Sequence, residues 1–175
     1  LPNPYIAGNP LREGKTFMGR DDIVRQLEAQ LQQRQQRPTL VLFGQRRMGK
    51  SSLLYQLPHK FGADIVPIRI DCQAGEMQEG NAAFLFNLGR AIVKQSQTER
   101  ALTLPDAPLL SDCTFTNFNM WLEQVEEQLQ TNTLLLCFDE FEVMGEAVAD
   151  GLLDKRILGF LRNLLQHHPK IDVLL

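Results

Sequence analysis

A three-layer α/β fold with a mostly parallel central sheet is what this 175-residue sequence predicts. Short, almost continuous apolar runs recur at 39–43, 65–70, 134–138 and 171–175, as expected of strands buried on both faces. Between them lie longer stretches whose apolar residues recur every three or four positions, the mark of amphipathic helices. Strands that alternate with helices make a parallel sheet with helices on both sides. A glycine-spaced loop at 44–51 leaves the first apolar run, and a cluster of acids leaves the third.

Pro2, Pro4, Gly8, Pro10 and Gly14 mark 1–18 as an extended arm that ends in Phe17-Met18-Gly19-Arg20. Asp21 and Asp22 suit the first turn of a helix, where the dipole favours negative charge. Ile23, Leu27 and Leu31 follow at helical spacing, with Val24 beside them, and Pro38 is expected to stop the helix near Arg37. Its Gln-rich face, Gln26 to Gln36, reads as solvated. A strand at 39–43, the loop and a helix to Leu57 or Lys60 come next. In the second strand, Pro67 lacks a ladder N–H and marks an edge.

A helix over 81–97 carries Phe84, Leu85, Leu88, Ile92 and Val93 on one stripe. Pro105 and Pro108 make 98–114 a long connection. Thr116 or Asn117 is the expected cap of the next helix, whose apolar face is Phe118, Leu122, Val125 and Leu129, with Trp121 as a core filler. Beyond the third strand, 145–150 reads as a loop and 151–166 as a helix with Leu152, Leu153, Ile157, Leu161 and Leu164 inward. His167 and His168 suit its C-terminus; adjacent residues diverge on a helix, so they are not read as a metal pair. The sequence then stops inside an apolar strand, as expected of part of a longer polypeptide. The domain reading is one truncated core, with 1–38 as the arm and first helix and 39–175 as the αβα body.

Composition narrows the function classes. A net charge of −3 with scattered Lys and Arg gives no basic footprint for nucleic acid. No apolar run approaches the roughly 20 residues of a membrane span, and the N-terminus lacks the basic start and apolar stretch of a secretory signal. Cys72, Cys113 and Cys137 are too far apart for a zinc or disulfide framework. A reducing cytoplasm is the expected compartment, and Cys137 reads as a small core residue.

Two motifs carry chemistry. Residues 40–54 read LVLFGQRRMGKSSLL, a G-x-x-x-x-G-K-S pattern with a strand before it and a helix after it. Gly44 and Gly49 accept backbone angles that a Cβ resists, so the loop can curl its N–H groups around phosphate oxygens. The helix that follows turns its positive end toward the same phosphates. In this pattern Lys50 reaches the β- and γ-phosphates and the Ser51 hydroxyl serves Mg²⁺. Gln45, Arg46, Arg47, Met48 and Ser52 complete the nucleotide-contacting candidates. The second motif is LLLCFDE. Asp139 closes a buried strand on the sheet edge where the loop opens and can orient the hydration shell of Mg²⁺. Glu140 is the candidate general base for the attacking water, with Glu142 as the second candidate.

Four segments together resemble the STAND branch (signal-transduction ATPases with numerous domains) of the AAA-type P-loop ATPases: Asn3-Pro4 to Gly8-Asn9-Pro10, Phe17-Met18-Gly19-Arg20, GQRRMGKSSLL and LLLCFDEFE. The resemblance covers nearly the whole chain. It implies a P-loop core of the additional-strand class, with Phe17, Met18, Gly19 and Arg20 lining an adenine pocket. A helix start with a hydrophobic staple is the other reading of those four residues. The resemblance also implies a sensor residue and a helical or winged-helix lid, both expected beyond Leu175, and it leaves an arginine finger unassigned.

The function expected from residues and resemblance together is an ATP-binding, slowly hydrolysing Mg²⁺-dependent switch. Effector domains or self-association would lie in the full-length protein, and turnover by this chain alone would be weak. Two alternatives share these motifs: a nucleic-acid-remodelling ATPase similar to archaeal replication initiators, and an interaction scaffold that keeps the fold without hydrolysis. The acidic balance weighs against nucleic acid, and the intact Lys50, Ser51, Asp139 and Glu140 weigh against a scaffold.

Overall fold

A computed structural model describes residues 19–32, 39–45 and 48–175. Its elements are α1 (Asp21–Gln32), α2 (Lys50–Lys60), β1 (Ile65–Asp71), α3 (Asn81–Arg100), α4 (Phe115–Gln128), β2 (Thr133–Asp139), α5 (Glu142–Ala149), α6 (Arg156–His167) and β3 (Ile171–Leu174). The strands form a parallel sheet in the order β1-β2-β3. Central β2 pairs with all seven residues of β1, from Ile65 opposite Thr133 to Asp71 opposite Asp139.

Helices cover both faces. On one, Val66, Ile68 and Ile70 of β1, Leu134, Leu136 and Phe138 of β2, and Ile171 and Val173 of β3 share a core with α3, α4, α5 and α6. On the other, Ile65, Leu135, Cys137 and Leu174 pack with Val24 and Leu27 of α1 and with Leu53, Leu54 and Leu57 of α2. This alternation along each strand is the period-2 pattern of a sheet covered on both sides. Trp121 is buried against Phe118, their ring centroids 5.0 Å apart. Pro67 lies on edge strand β1, as its missing N–H requires. The outer edge is closed at Arg69, whose N–H donates to Gln95 Oε1 at 2.9 Å and whose carbonyl accepts from Gln95 Nε2 at 2.8 Å. A side-chain amide thus does what a neighbouring strand would do.

The strand expected at 39–43 is reduced to a single parallel bridge, Leu40 to Leu174. Leu40 N–H donates to Val173 O at 3.2 Å, Leu175 N–H to Leu40 O at 2.9 Å, and Leu42 N–H to Leu175 O at 2.7 Å. Only the Leu40 and Leu42 side meets helices; Val41 is 64% exposed and Phe43 97%. Half a buried interface holds the segment beside β3 without making it a regular strand.

Four further expectations are corrected. The loop expected at 145–150 is helix α5, because Met144, Ala147 and Val148 form an i, i+3, i+4 stripe packed on the larger core while Gly145 faces open space. The glycine that breaks the chain is Gly151, with φ +74°, where the left-handed conformation ends α5. The helix expected from 151 therefore begins at Arg156, and Leu152 lies outside the core, 52% exposed. The cap of α4 is Thr114, whose Oγ1 accepts from Asn117 N–H at 3.2 Å. Helix α3 runs to Arg100, shortening the expected 98–114 connection. The expected end of the first helix near Arg37 lies outside the described residues.

At the sheet end opposite the carboxyl edge, Glu126 ties α4 to the start of β3. It pairs with His168 Nδ1 at 2.9 Å and accepts from Lys170 N–H at 2.7 Å. His168, the C-cap of α6, is thereby satisfied while buried.

Leu136 is fully buried at the centre of β2. Leu136→Ala should lower the free energy of unfolding by about 2–5 kcal/mol in denaturant titration. Val41→Ala, on the uncovered side of 39–43, should change it by less than about 0.5 kcal/mol.

Candidate functional site

The loop at 44–51 and the ends of β1 and β2 meet at the carboxyl edge of the sheet. Gly49 takes φ +79° and ψ 27° as the residue before α2, a left-handed turn that glycine makes without steric cost. Its carbonyl accepts from Leu53 N–H at 3.0 Å, so the first turn of α2 grows directly out of the loop. The start of a helix, with its dipole, favours an anion here. Lys50 Nζ donates to Gly44 O at 2.8 Å and links the two ends of the loop.

Ser51 Oγ donates to Asp139 Oδ1 at 3.0 Å. The two sequence motifs, 88 residues apart, are thus joined by one hydrogen bond. A cleft of about 470 Å³ opens beside this contact, lined by Gly44, Lys50, Leu54, Asp139, Glu140 and Glu142 among others. Glu140 is half-buried at φ +54°, a left-handed angle unusual for a residue with a Cβ. It turns the chain out of β2, and its carbonyl accepts from Val143 N–H at 3.1 Å. Glu142 opens α5 and lines the same cleft as Glu140.

The electrostatics follow from burial. Burial pushes the Asp139 carboxyl above its ordinary range; the Ser51 hydroxyl and the Arg69 charge pull it down, and Asp71 pushes it further up. Glu140 is raised by burial first, then by the hydrogen bond and charge of Glu142 and by Asp139, with Lys50 opposing. Cys72 is raised to about 12 by burial and by the charges of Asp71, Asp139 and Glu142. The Cys137 thiol is raised by burial and then by Asp139. Neither cysteine has thiolate character, and both are packing residues.

Of the residues singled out in the sequence, Gly44, Gly49, Lys50, Ser51, Asp139, Glu140 and Glu142 gather at this edge. Gln45 and Met48 are exposed, with Met48 N–H donating to Gln45 O at 3.3 Å, and half-buried Ser52 lies in the first turn of α2. Gly19 and Arg20 precede α1, and the Arg20 guanidinium donates to the Met48 carbonyl. Phe17, Met18, Arg46 and Arg47 lie outside the described residues.

Two contributors were not assigned from sequence. Asp71 ends β1 opposite Asp139. The signal was two seven-residue strands, IVPIRID and TLLLCFD, that end in the same residue type. Arg69 lies 4.1 Å from the centre of the Tyr55 ring and acts on the Asp139 charge; nothing local in the sequence marks it.

Ser51 and Asp139 are hard oxygen donors and fit Mg²⁺, which is commonly held by one or two protein oxygens together with water and substrate phosphates. Among the described residues, no group of three or more His, Cys, Asp or Glu could hold a metal by itself.

A raised carboxyl pKa in the folded state makes ionisation of Asp139 destabilising at pH 7, and the penalty is relieved as pH falls through the folded and then the unfolded pKa. Without Mg²⁺, Asp139→Asn should therefore melt above the wild type at pH 7. The difference should close below the ordinary carboxyl value of 3.8 in a thermal-denaturation series.

No protein-family model, curated protein or solved structure matches this chain.

Proposed function

We propose that this chain is a Mg²⁺-dependent ATP-binding switch of the P-loop αβα type, with slow hydrolysis resetting its state. The observation that carries the reading is the 3.0 Å hydrogen bond between Ser51 and Asp139. It brings the hydroxyl of a G-x-x-x-x-G-K-S loop to the acid of a hydrophobic-strand motif. The position of β3 between 39–43 and β2 is in keeping with the additional-strand class that the motifs resemble.

The residues divide the work by chemistry. The 44–52 backbone and the start of α2 bind phosphate oxygens. Lys50 exchanges its contact with the Gly44 carbonyl for the β- and γ-phosphates. Ser51 and Asp139 would hold Mg²⁺, which when bound would neutralise charge on those phosphates. Glu140 accepts the proton of the attacking water; its raised pKa moves it toward working pH, where a general base is more effective. The Glu142 charge helps to raise the Glu140 carboxyl. Adenine selection rests on the family resemblance, which implies Phe17, Met18, Gly19 and Arg20 as the lining of the adenine pocket. An effector partner or self-association is part of the proposal, and the cytoplasm is the proposed compartment.

Calorimetric titration with ATP and ADP, with and without Mg²⁺, tests the reading. Micromolar binding is expected, and Lys50→Ala should weaken it by roughly tenfold or more through loss of charged hydrogen bonds. Glu140→Gln should leave affinity in place and lower turnover by about 10²–10⁴-fold. A folded wild-type protein that binds neither nucleotide would overturn the proposal.

A further inference from the structure

We infer that Arg20 is a positioning residue for the phosphate loop, acting on its backbone rather than on a base; the inference deepens the nucleotide reading and rests on it for its consequence in binding. Gly19 and Arg20 have φ +86° and +62°, two consecutive left-handed residues immediately before α1. Glycine takes that angle freely, whereas the Cβ of arginine makes it unfavourable. The surroundings hold Arg20 there. Its carbonyl accepts from Val24 N–H at 3.1 Å and starts α1. Its side chain crosses 28 positions of sequence to donate from Nη2 to the Met48 carbonyl. The same nitrogen lies 3.9 Å from where a Cβ on Gly49 would stand.

This contact determines a direction. Met48 C=O and Gly49 N–H belong to one planar trans peptide, so they point opposite ways. A guanidinium that draws the carbonyl outward turns the Gly49 N–H inward. The Gly49 angle of +79° then leads into α2 with the N–H groups of Lys50 and Ser51 following. The anchor for this pull is firm. The exposed ion pair of adjacent Asp21 with Lys60, at the far end of α2, adds little to that anchor, which is the packed apolar face of α1. Val24 and Leu27 pack with Leu53, Leu54 and Leu57. Helix α1 is therefore fastened along α2 while Arg20 reaches the loop that precedes it.

The test has a ligand-free arm and a ligand arm. In the ligand-free protein, Arg20→Ala should speed amide exchange at Gly49, Lys50 and Ser51 while amides within α1 and the melting temperature stay close to wild type. Asp21→Asn, which loosens the same helix at its Lys60 contact, should leave the loop amides unchanged. In titrations, Arg20→Ala should weaken Mg·ATP and Mg·tripolyphosphate by the same factor, roughly tenfold. Arg20→Gln keeps an N–H donor and should recover part of the loss. Loop exchange unchanged in Arg20→Ala would overturn the inference, as would a loss confined to ATP, which would place Arg20 at the base. Faster loop exchange in a protein whose wild type binds neither ligand would uphold the clamp and sink the nucleotide reading.

Discussion

The parallel pairing of β2 with β1 and β3 is the constraint on which the rest of the site depends. Residues paired across β1 and β2 advance in step, so Asp71 and Asp139 leave the sheet side by side. The register itself is set by burial. Shifting β2 by one residue would carry Leu134, Leu136 and Phe138 to the α2 face and Leu135 and Cys137 to the α3 face, undoing both cores at once. A packing requirement spread over two helical layers therefore sets the height of a carboxylate to within a hydrogen bond of Ser51.

That placement has an electrostatic consequence. Asp71, Asp139, Glu140 and Glu142 act on one another at a single edge, with Lys50 and Arg69 as the opposing charges recorded there. Mutual repulsion and burial raise the Asp139 and Glu140 carboxyls, so the ligand-free state carries unfavourable energy in its ionised form. A cation bound at Ser51 and Asp139 would relieve that repulsion. In the proposed nucleotide site, the arrangement that weakens the free protein would strengthen binding of a metal–phosphate complex.

Much of the fold was legible because its signals are local. The apolar runs at 65–70, 134–138 and 171–175 became strands, and the stripes Phe84–Leu88–Ile92 and Phe118–Leu122–Val125 became buried helix faces. The misreadings came where a local signal had two meanings. Gly145 reads as a breaker but sits on the open side of α5, and Gly151 is the residue that ends that helix. The 39–43 run looks like a buried strand, yet whether Val41 and Phe43 are covered depends on what packs there, which apolar character alone does not reveal. In the site, Gly49, Lys50, Ser51 and Asp139 could be named from spacing because each motif is contiguous. Arg69, acting through a neighbouring strand, and the Arg20 contact with Met48 depend on tertiary geometry and left no local pattern.

Two strained residues flank the proposed site. Arg20 and Glu140 both hold left-handed backbone angles that disfavour a side chain, one at the start of α1 and the other at the end of β2. Each is followed by the first turn of a helix packed into a core: α1 through Val24 and Leu27, α5 through Met144 and Ala147. The packing energy of those helices offsets the local strain, because a helix whose apolar stripe is buried constrains the residues that lead into it. On one side the constraint aims a guanidinium at a loop carbonyl; on the other it holds a carboxylate at the cleft beside Lys50. The two cores therefore serve more than stability, since each sets the angle at which one side chain of the proposed site meets the 44–51 loop.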